Sequence, residues 1–316
     1  MRLLFFGSGA FGLPTLAHLH EAHDVVAVVS QPARPAGRKR VLTPTPVAAW
    51  ARERGLPVHE VADVNTNGFV DEVAAYGAEA SVVIAFGQKL GPALLEAMGA
   101  LSVNLHGSLL PAYRGAAPIQ RAVRDGQAEA GVSVISLADR MDAGLVYGTA
   151  RLKVEPTETS GELHDRLAAL GPAAVGGVLE RFAAGTLVGE AQDEARVTQA
   201  RKLKKPDGTV DFDAPAEAVR ARVNGLNSWP GCRVVWEAAG GEAGELLLRR
   251  VGPAALDPGE ALPAPGVVMP GGRVACADGV VALLEVQAPG RGVVVADAYL
   301  RSSPLAGGGR LMRWEP

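Results

Sequence analysis

The sequence predicts an α/β chain, with a Rossmann-like, mostly parallel sheet domain followed by a smaller, OB-like β-barrel. Three observations carry that expectation. In the first half, short apolar runs alternate with segments of helical composition, the pattern of strands buried on both faces and covered by helices. Residues 189–208, "GEAQDEARVTQARKLKKPDG", are polar and largely aperiodic, as a linker is. Beyond them, strand-like pieces are punctuated by Gly and Pro, as in small barrels. The expected division is a first domain over 1–188, a linker over 189–205 and a barrel over 206–316.

The elements follow in order. "RLLFF" (2–6), "VVAVVS" (25–30), "ASVVIAF" (80–86), "LSVNLH" (101–106) and "GVSVISL" (131–137) are continuous apolar or β-branched runs and read as strands. Segments 13–22, 46–54, 66–76, 90–98 and 117–126 between them carry helical composition. Residues 160–184 predict one long helix, capped by Thr159 or Ser160, with Glu162 in its first turn and Gly185 past its end. In the last third, "CRVVWEA", "ELLLRRV", "PGVVM" and "GVVALLEV" predict strands.

Bulk properties narrow the function classes. The net charge of −3 gives no global reason to expect nucleic acid, although a local basic patch can still bind it. Cys232 and Cys276 are the only cysteines, which excludes a disulfide framework or a Cys-rich metal site; no metal is expected. No apolar run approaches the ~18–20 residues that span a bilayer, and residues 2–6 read as a buried strand rather than a signal peptide. The expectation is a soluble, cytoplasmic chain without a membrane partner.

Gly7-Ser8-Gly9-Ala10-Phe11-Gly12 is a literal G-x-G-x-x-G after the first strand. A dinucleotide site also needs an acid about 20 residues on to hold the ribose. None occurs between Asp24 and Glu53. Arg34 and Arg38 leave an NADP-type site formally open, but the glycines read better as a tight strand-to-helix turn with close packing. An NAD(P)-dependent oxidoreductase is the distant alternative.

Chemistry concentrates in "SVNLHGSLLPAYRGAAPI" (102–119). Asn104 and His106 are two apart at a strand's carboxyl end, so their side chains share a face. Such a pair can stabilise a developing oxyanion, and an imidazole can also transfer protons near neutral pH. Gly107 and Pro111 bracket "SLLP", and Arg114-Gly115 delays the next helix, giving a constrained loop where α/β sites lie. A carboxylate in "ADRMDAG" (138–144) could orient the imidazole. Spacing alone does not rank Asp142 above Asp139.

"NLHGSLLPAYRGAAPIQRAV" resembles the signature of the 10-formyltetrahydrofolate-dependent formyltransferases, N-x-H-x-S-L-L-P followed by R-G. "SQPARPAGRKRVLTPTPV" (30–47), "NSWPGC" (227–232) and "DGVVALLEVQAPGR" (278–291) narrow the resemblance to the branch that acts on methionyl-tRNA. The resemblance implies a catalytic set of Asn104, His106 and Asp142, since the family's Asp lies 36 residues after the His; here that is "MDAG" rather than the usual L-D-x-G. The following "LVYG" departs from the commoner continuation. The implied reaction moves a formyl group from 10-formyltetrahydrofolate, a co-substrate rather than a tightly bound cofactor, to the α-amine of methionyl initiator tRNA. The 1–188 region becomes the catalytic domain and 206–316 the tRNA-binding barrel of a monomer.

Folate contacts are expected from Ser108, Leu109, Leu110 and Pro111, and around the pterin from Phe86, Gly87, Gln88 and Leu90. Two basic clusters are expected to meet tRNA: Arg34, Arg38, Lys39 and Arg40 in a long exposed loop, and Arg201, Lys202, Lys204 and Lys205 in the linker. A sugar-nucleotide formyltransferase or a formyltetrahydrofolate hydrolase would keep the same Asn-His-Asp set; the basic loop and "NSWPG" weigh against both. A non-catalytic RNA-binding module would leave that set without a purpose.

Overall fold

A computed structural model describes residues 1–37 and 40–315, with only the backbone of Ala306 and Gly307. The chain forms two compact units: 1–114, 131–152 and 164–199 in the first, and 115–130, 153–163 and 200–316 in the second.

The first unit is organised by a seven-stranded sheet. Its strands come from β1 (Arg2–Gly7), β2 (Asp24–Ser30), β5 (Val58–Glu60), β6 (Ala80–Ile84), β7 (Leu101–His106), β8 (Glu129–Ser136) and β9 (Val146–Lys153), in the order β5-β2-β1-β6-β7-β8-β9. The first four pairings along this order are parallel and β7 meets β8 antiparallel. Leu3, Leu4, Phe5 and Phe6 are all 0% exposed, as a central strand covered on both faces requires. β3 (Arg34–Ala36) and β4 (Val41–Thr43) form a separate antiparallel ribbon. The helices are α1 (Leu13–Ala22), α2 (Pro46–Glu53), α3 (Asn67–Ala75), α4 (Pro92–Ala97), α5 (Pro118–Arg124) in the second unit, α6 (Ser160–Ala168) and α7 (Gly171–Ala183).

The helix expected over 160–184 is two helices. Pro172 cannot donate a backbone hydrogen bond, and its ring disfavours continuing a helix across it; α7 restarts with this proline in its first turn. At the other end Thr159 is the cap. Its hydroxyl accepts from the Glu162 amide at 3.3 Å, and the Glu162 carboxylate accepts from the Thr159 amide at 2.9 Å, a reciprocal capping box.

The G-x-G-x-x-G turn serves packing. A Cβ on Gly7 would lie 2.6 Å from Phe5 Cε1 and 3.0 Å from the Ile84 carbonyl, so β1 and β6 close over this point only with glycine. Ser8 then ties three strand ends together. Its hydroxyl donates to the Phe86 carbonyl at 3.1 Å and accepts from the Gln31 amide at 3.1 Å.

The second unit holds a closed, six-stranded antiparallel barrel. β10 (Cys232–Ala238), β11 (Ala243–Pro253), β12 (Val267–Met269), β13 (Arg273–Ala275), β14 (Val280–Gln287) and β16 (Gly309–Arg313) run in the order β11-β10-β16-β12-β13-β14, and β14 pairs back to β11. β15 (Val294–Val295) adds to β14 outside the ring. Val234, Leu246, Val274, Val286 and Leu311 fill the interior. Helices α8 (Ala216–Gly225) and α9 (Ala296–Arg301) both pack with this core, α9 through Ala296 and Leu300. The fully buried Asn224 of α8 receives the Val251 amide at 3.0 Å and donates to its carbonyl at 2.9 Å, where the β11–β14 register shifts. That satisfies the backbone the irregularity would otherwise leave unpaired. Among the described residues no helix is long and apolar enough to cross a membrane.

Candidate active site

The carboxyl end of β7 carries Asn104 and His106 on one face of the sheet. His106 is 6% exposed. Its Nε2 lies 2.9 Å from the Tyr113 carbonyl oxygen and its Nδ1 lies 3.6 Å from Asp142 Oδ2. The carbonyl and the carboxylate are both acceptors, so Nε2 donates to Tyr113 and only a doubly protonated ring offers a hydrogen to each side. The 3.6 Å separation is an ion-pair distance, one small shift from a hydrogen bond. Asp139, the competitor in sequence, is exposed, while the Asp142 side chain is 13% exposed and faces the imidazole.

Local backbone holds that carboxylate. Asp142 adopts φ +54°, the left-handed region that costs most residues energy and that Asp tolerates better than bulkier ones. Two residues on, a Cβ on Gly144 would meet the Ser136 carbonyl oxygen at 1.8 Å. The loop therefore folds directly against β8, and the Leu145 amide donates to Ser136 Oγ at 2.9 Å.

Two residues that sequence reasoning did not single out as site residues complete the arrangement. Arg114 is 3% exposed and donates to Gln192 Oε1 from Nε at 2.9 Å and from Nη2 at 2.8 Å. Its Nη2 also pairs with Glu194 at 2.8 Å. Hydrogen bonds from Arg114, then from Arg140, hold the Glu194 carboxyl below its usual range. The "R-G" of the motif was a signal for Arg114; nothing in the aperiodic linker marked Gln192.

The "SLLP" segment is a tightly bonded turn. Ser108 is 3% exposed, its hydroxyl donates to the Ala112 carbonyl at 2.6 Å, and its own carbonyl accepts from Ser133 Oγ at 2.7 Å. Leu110 is buried, and Leu109 and Pro111 are half-buried. After β6, Phe86 is a core residue whose ring meets Phe6 edge-on at 5.5 Å. The Gln88 amide is engaged by Val64 and Val61, and Leu90 packs against the same core. Gly87 remains exposed, at φ +87°.

The expected long loop at 31–47 is in part the β3–β4 ribbon, whose residues are all exposed. Two three-residue strands with no buried face leave no alternating hydrophobic pattern, which is why they read as loop. Arg34 and Arg40 lie on this hairpin; Arg38 and Lys39 lie outside the described residues. An open cavity of about 510 Å³ is lined by Gln31, Arg34, Thr43, Thr45 and Gly87, so the hairpin and the turn after β6 share one space. In the second unit Arg201, Lys202, Lys204 and Lys205 are exposed around the buried Leu203. Among the described residues no group of three or more His, Cys, Asp or Glu could hold a metal ion.

Residues 1–179 match the model of the formyl transferase family and residues 202–304 that of the formyl transferase C-terminal domain. The methionyl-tRNA formyltransferase of Cereibacter sphaeroides is 39% identical over 310 residues, covering 98% of this chain and 99% of its own. That of Phenylobacterium zucineum is 39% identical over 312 residues, covering 98% and 100%. Among solved structures, WlaRD, a sugar 3N-formyl transferase determined in the presence of dTDP and 5-N-formyl-THF, aligns with a TM-score of 0.65 at 10% identity, covering 92% of this chain and 99% of that one. At that identity the likeness speaks to fold alone. On the family models and the full-length relatives together, the chain belongs to the formyl transferase family, in its methionyl-tRNA formyltransferase branch.

Proposed function

We propose that the chain transfers the formyl group of 10-formyltetrahydrofolate to the free α-amine of methionyl initiator tRNA, producing N-formylmethionyl-tRNA for translation initiation in the cytoplasm. The observation that carries the assignment of chemistry to this site is the imidazole of His106 set between Asp142 and the Tyr113 carbonyl, beside Asn104.

The neutral α-amine attacks the formyl carbon, a C–N bond forms, and the carbonyl oxygen takes up negative charge. Asn104 donates to that oxyanion, and the positive charge of His106 in its imidazolium form, held between Asp142 and the Tyr113 carbonyl, stabilises it electrostatically. Collapse breaks the bond to folate N10, which leaves with a proton, while the former amine loses one. His106 and Asp142 relay that proton, directly or through a water. No side chain forms a covalent bond, because the amine is itself a competent nucleophile. All three groups come from one chain, and we read the enzyme as a monomer.

The folate lies along Ser108–Pro111, with its pterin near Phe86–Leu90. The inward side chains of Phe86, Ser108, Gln88 and Leu110 fix the backbone that the ligand meets, and the polar ends of Ser108 and Gln88 are already engaged within the protein. Arg34, Arg38, Lys39 and Arg40, with Arg201, Lys202, Lys204 and Lys205, contact tRNA phosphates. In this reading 1–188 carries catalysis, 189–205 connects, and 206–316 adds tRNA affinity.

The test supplies 10-formyltetrahydrofolate with charged initiator tRNA, with charged elongator tRNA, or with water alone. Formyl-methionyl product with the initiator arm is expected. Formate release without that product identifies a hydrolase, and no folate turnover in any arm refutes formyl transfer.

A further inference from the structure

Asp142 can act on His106 only if its left-handed turn is held in place, and the loop that carries it, 138–144, is largely exposed on its outer side. The turn is held through its backbone. Gln192 Nε2 donates to the Asp142 carbonyl at 2.8 Å and to the Gly144 carbonyl at 2.8 Å. Its Oε1 accepts both bonds from the buried Arg114 guanidinium, at 2.9 and 2.8 Å. The orientation of the amide is fixed by these partners: a guanidinium only donates and a carbonyl only accepts, so neither end can be exchanged. A neutral amide is therefore the side-chain type that fits. A carboxylate would suit Arg114 but would turn one acceptor oxygen toward both carbonyls.

Arg114 itself follows directly on Tyr113, whose carbonyl takes the other nitrogen of His106. The Tyr113 amide donates to Thr198 Oγ1 at 2.8 Å and the Arg114 amide to the Thr198 carbonyl at 2.9 Å. Both partners of the imidazole are thus fixed to the same stretch, 192–198, and the bonds converge on Arg114.

We propose that Gln192 is the positioning residue for Asp142: anchored on buried Arg114, it sets the backbone of 142–144 so that the carboxylate faces His106. This rests on the formyl-transfer reading of the site. A misplacement of ~1 Å can cost about 10²-fold in rate, so a near-isosteric change that frees the loop should reduce turnover without removing the groups that touch either substrate.

The experiment measures kcat and both KM values for wild type, Gln192→Glu, Asp142→Asn and the double variant, with thermal unfolding of each. Q192E keeps its partner in Arg114 and is expected to fold. Its kcat should fall about tenfold to hundredfold, with the KM for folate and for tRNA within about twofold. In the Asp142→Asn background the same change should cost less than about twofold, because residues acting as a unit are not additive. Gln192→Met, which removes both ends of the link, should reproduce the kcat loss if Q192E fails to fold. An active wild type with unchanged kcat in these variants, or losses that multiply with that of Asp142→Asn, overturns the positioning role alone. A wild type without formyl transfer overturns the functional reading and this role with it.

Discussion

At the residue scale, the consequential interactions are short and local. His106 faces an acceptor at each nitrogen, and Asp142 reaches it from a strained turn that Gly144 allows. Gly144→Ala should therefore be costly, since its methyl would overlap the Ser136 carbonyl. The expected outcome is a folded protein with at least tenfold lower turnover, of the order of the ~10²-fold that small misplacements cost; unchanged kinetics would show that the loop relaxes freely. The cysteines behave in the opposite way. Burial pushes the thiols of Cys232 and Cys276 up to about 12, and both are 0% exposed. Neither offers a thiolate at neutral pH, so a thiol-specific reagent should label neither in the native protein and both after denaturation.

At the element scale, the break between α6 and α7 and the box that opens α6 matter most. Burial works to raise the Glu162 carboxyl, but hydrogen bonds from Thr159 and from Arg250 outweigh it and hold it below the usual 4.5. A carboxylate depressed in the folded state adds stability above its unfolded value, and that increment is lost as pH falls through the folded one. Thermal unfolding from pH 7 to pH 3 should show this loss below about pH 4.5, and Glu162→Gln should flatten it; an identical pH profile in the variant would contradict the assignment. Thr159→Ala should cost about 1 kcal/mol, as caps do. Elements with a strong pattern were legible: 13–22 and "CRVVWEA" coincide with α1 and β10. The β3–β4 ribbon, β9 and "GRLMR" of β16 were not, because they are short, half-exposed or polar. Of the site, Asn104 and His106 could be paired from their spacing. The Arg114–Gln192 bond could not, since it joins residues 78 apart and one of them sits in an aperiodic segment.

At the scale of the whole molecule, a chain of net charge −3 has to bind a polyanion. The hairpin arginines lie in the first unit and the 201–205 cluster in the second, so each unit brings its own cations. Replacing Arg201, Lys202, Lys204 and Lys205 by Gln should weaken tRNA binding while leaving folate KM unchanged. The slope of log affinity against log salt should fall by about 1 for each phosphate that is no longer neutralised. A slope equal to that of wild type would remove this cluster from the interface. If formyl transfer runs through Asn104, His106 and Asp142, the chemical step itself must slow when one of them is removed. Single-turnover transfer to methionyl initiator tRNA at saturating 10-formyltetrahydrofolate isolates that step. Asn104→Ala, with unfolding temperature and substrate binding retained, should transfer formyl about 10²- to 10³-fold more slowly. Transfer at the wild-type rate would contradict the assignment of the oxyanion site.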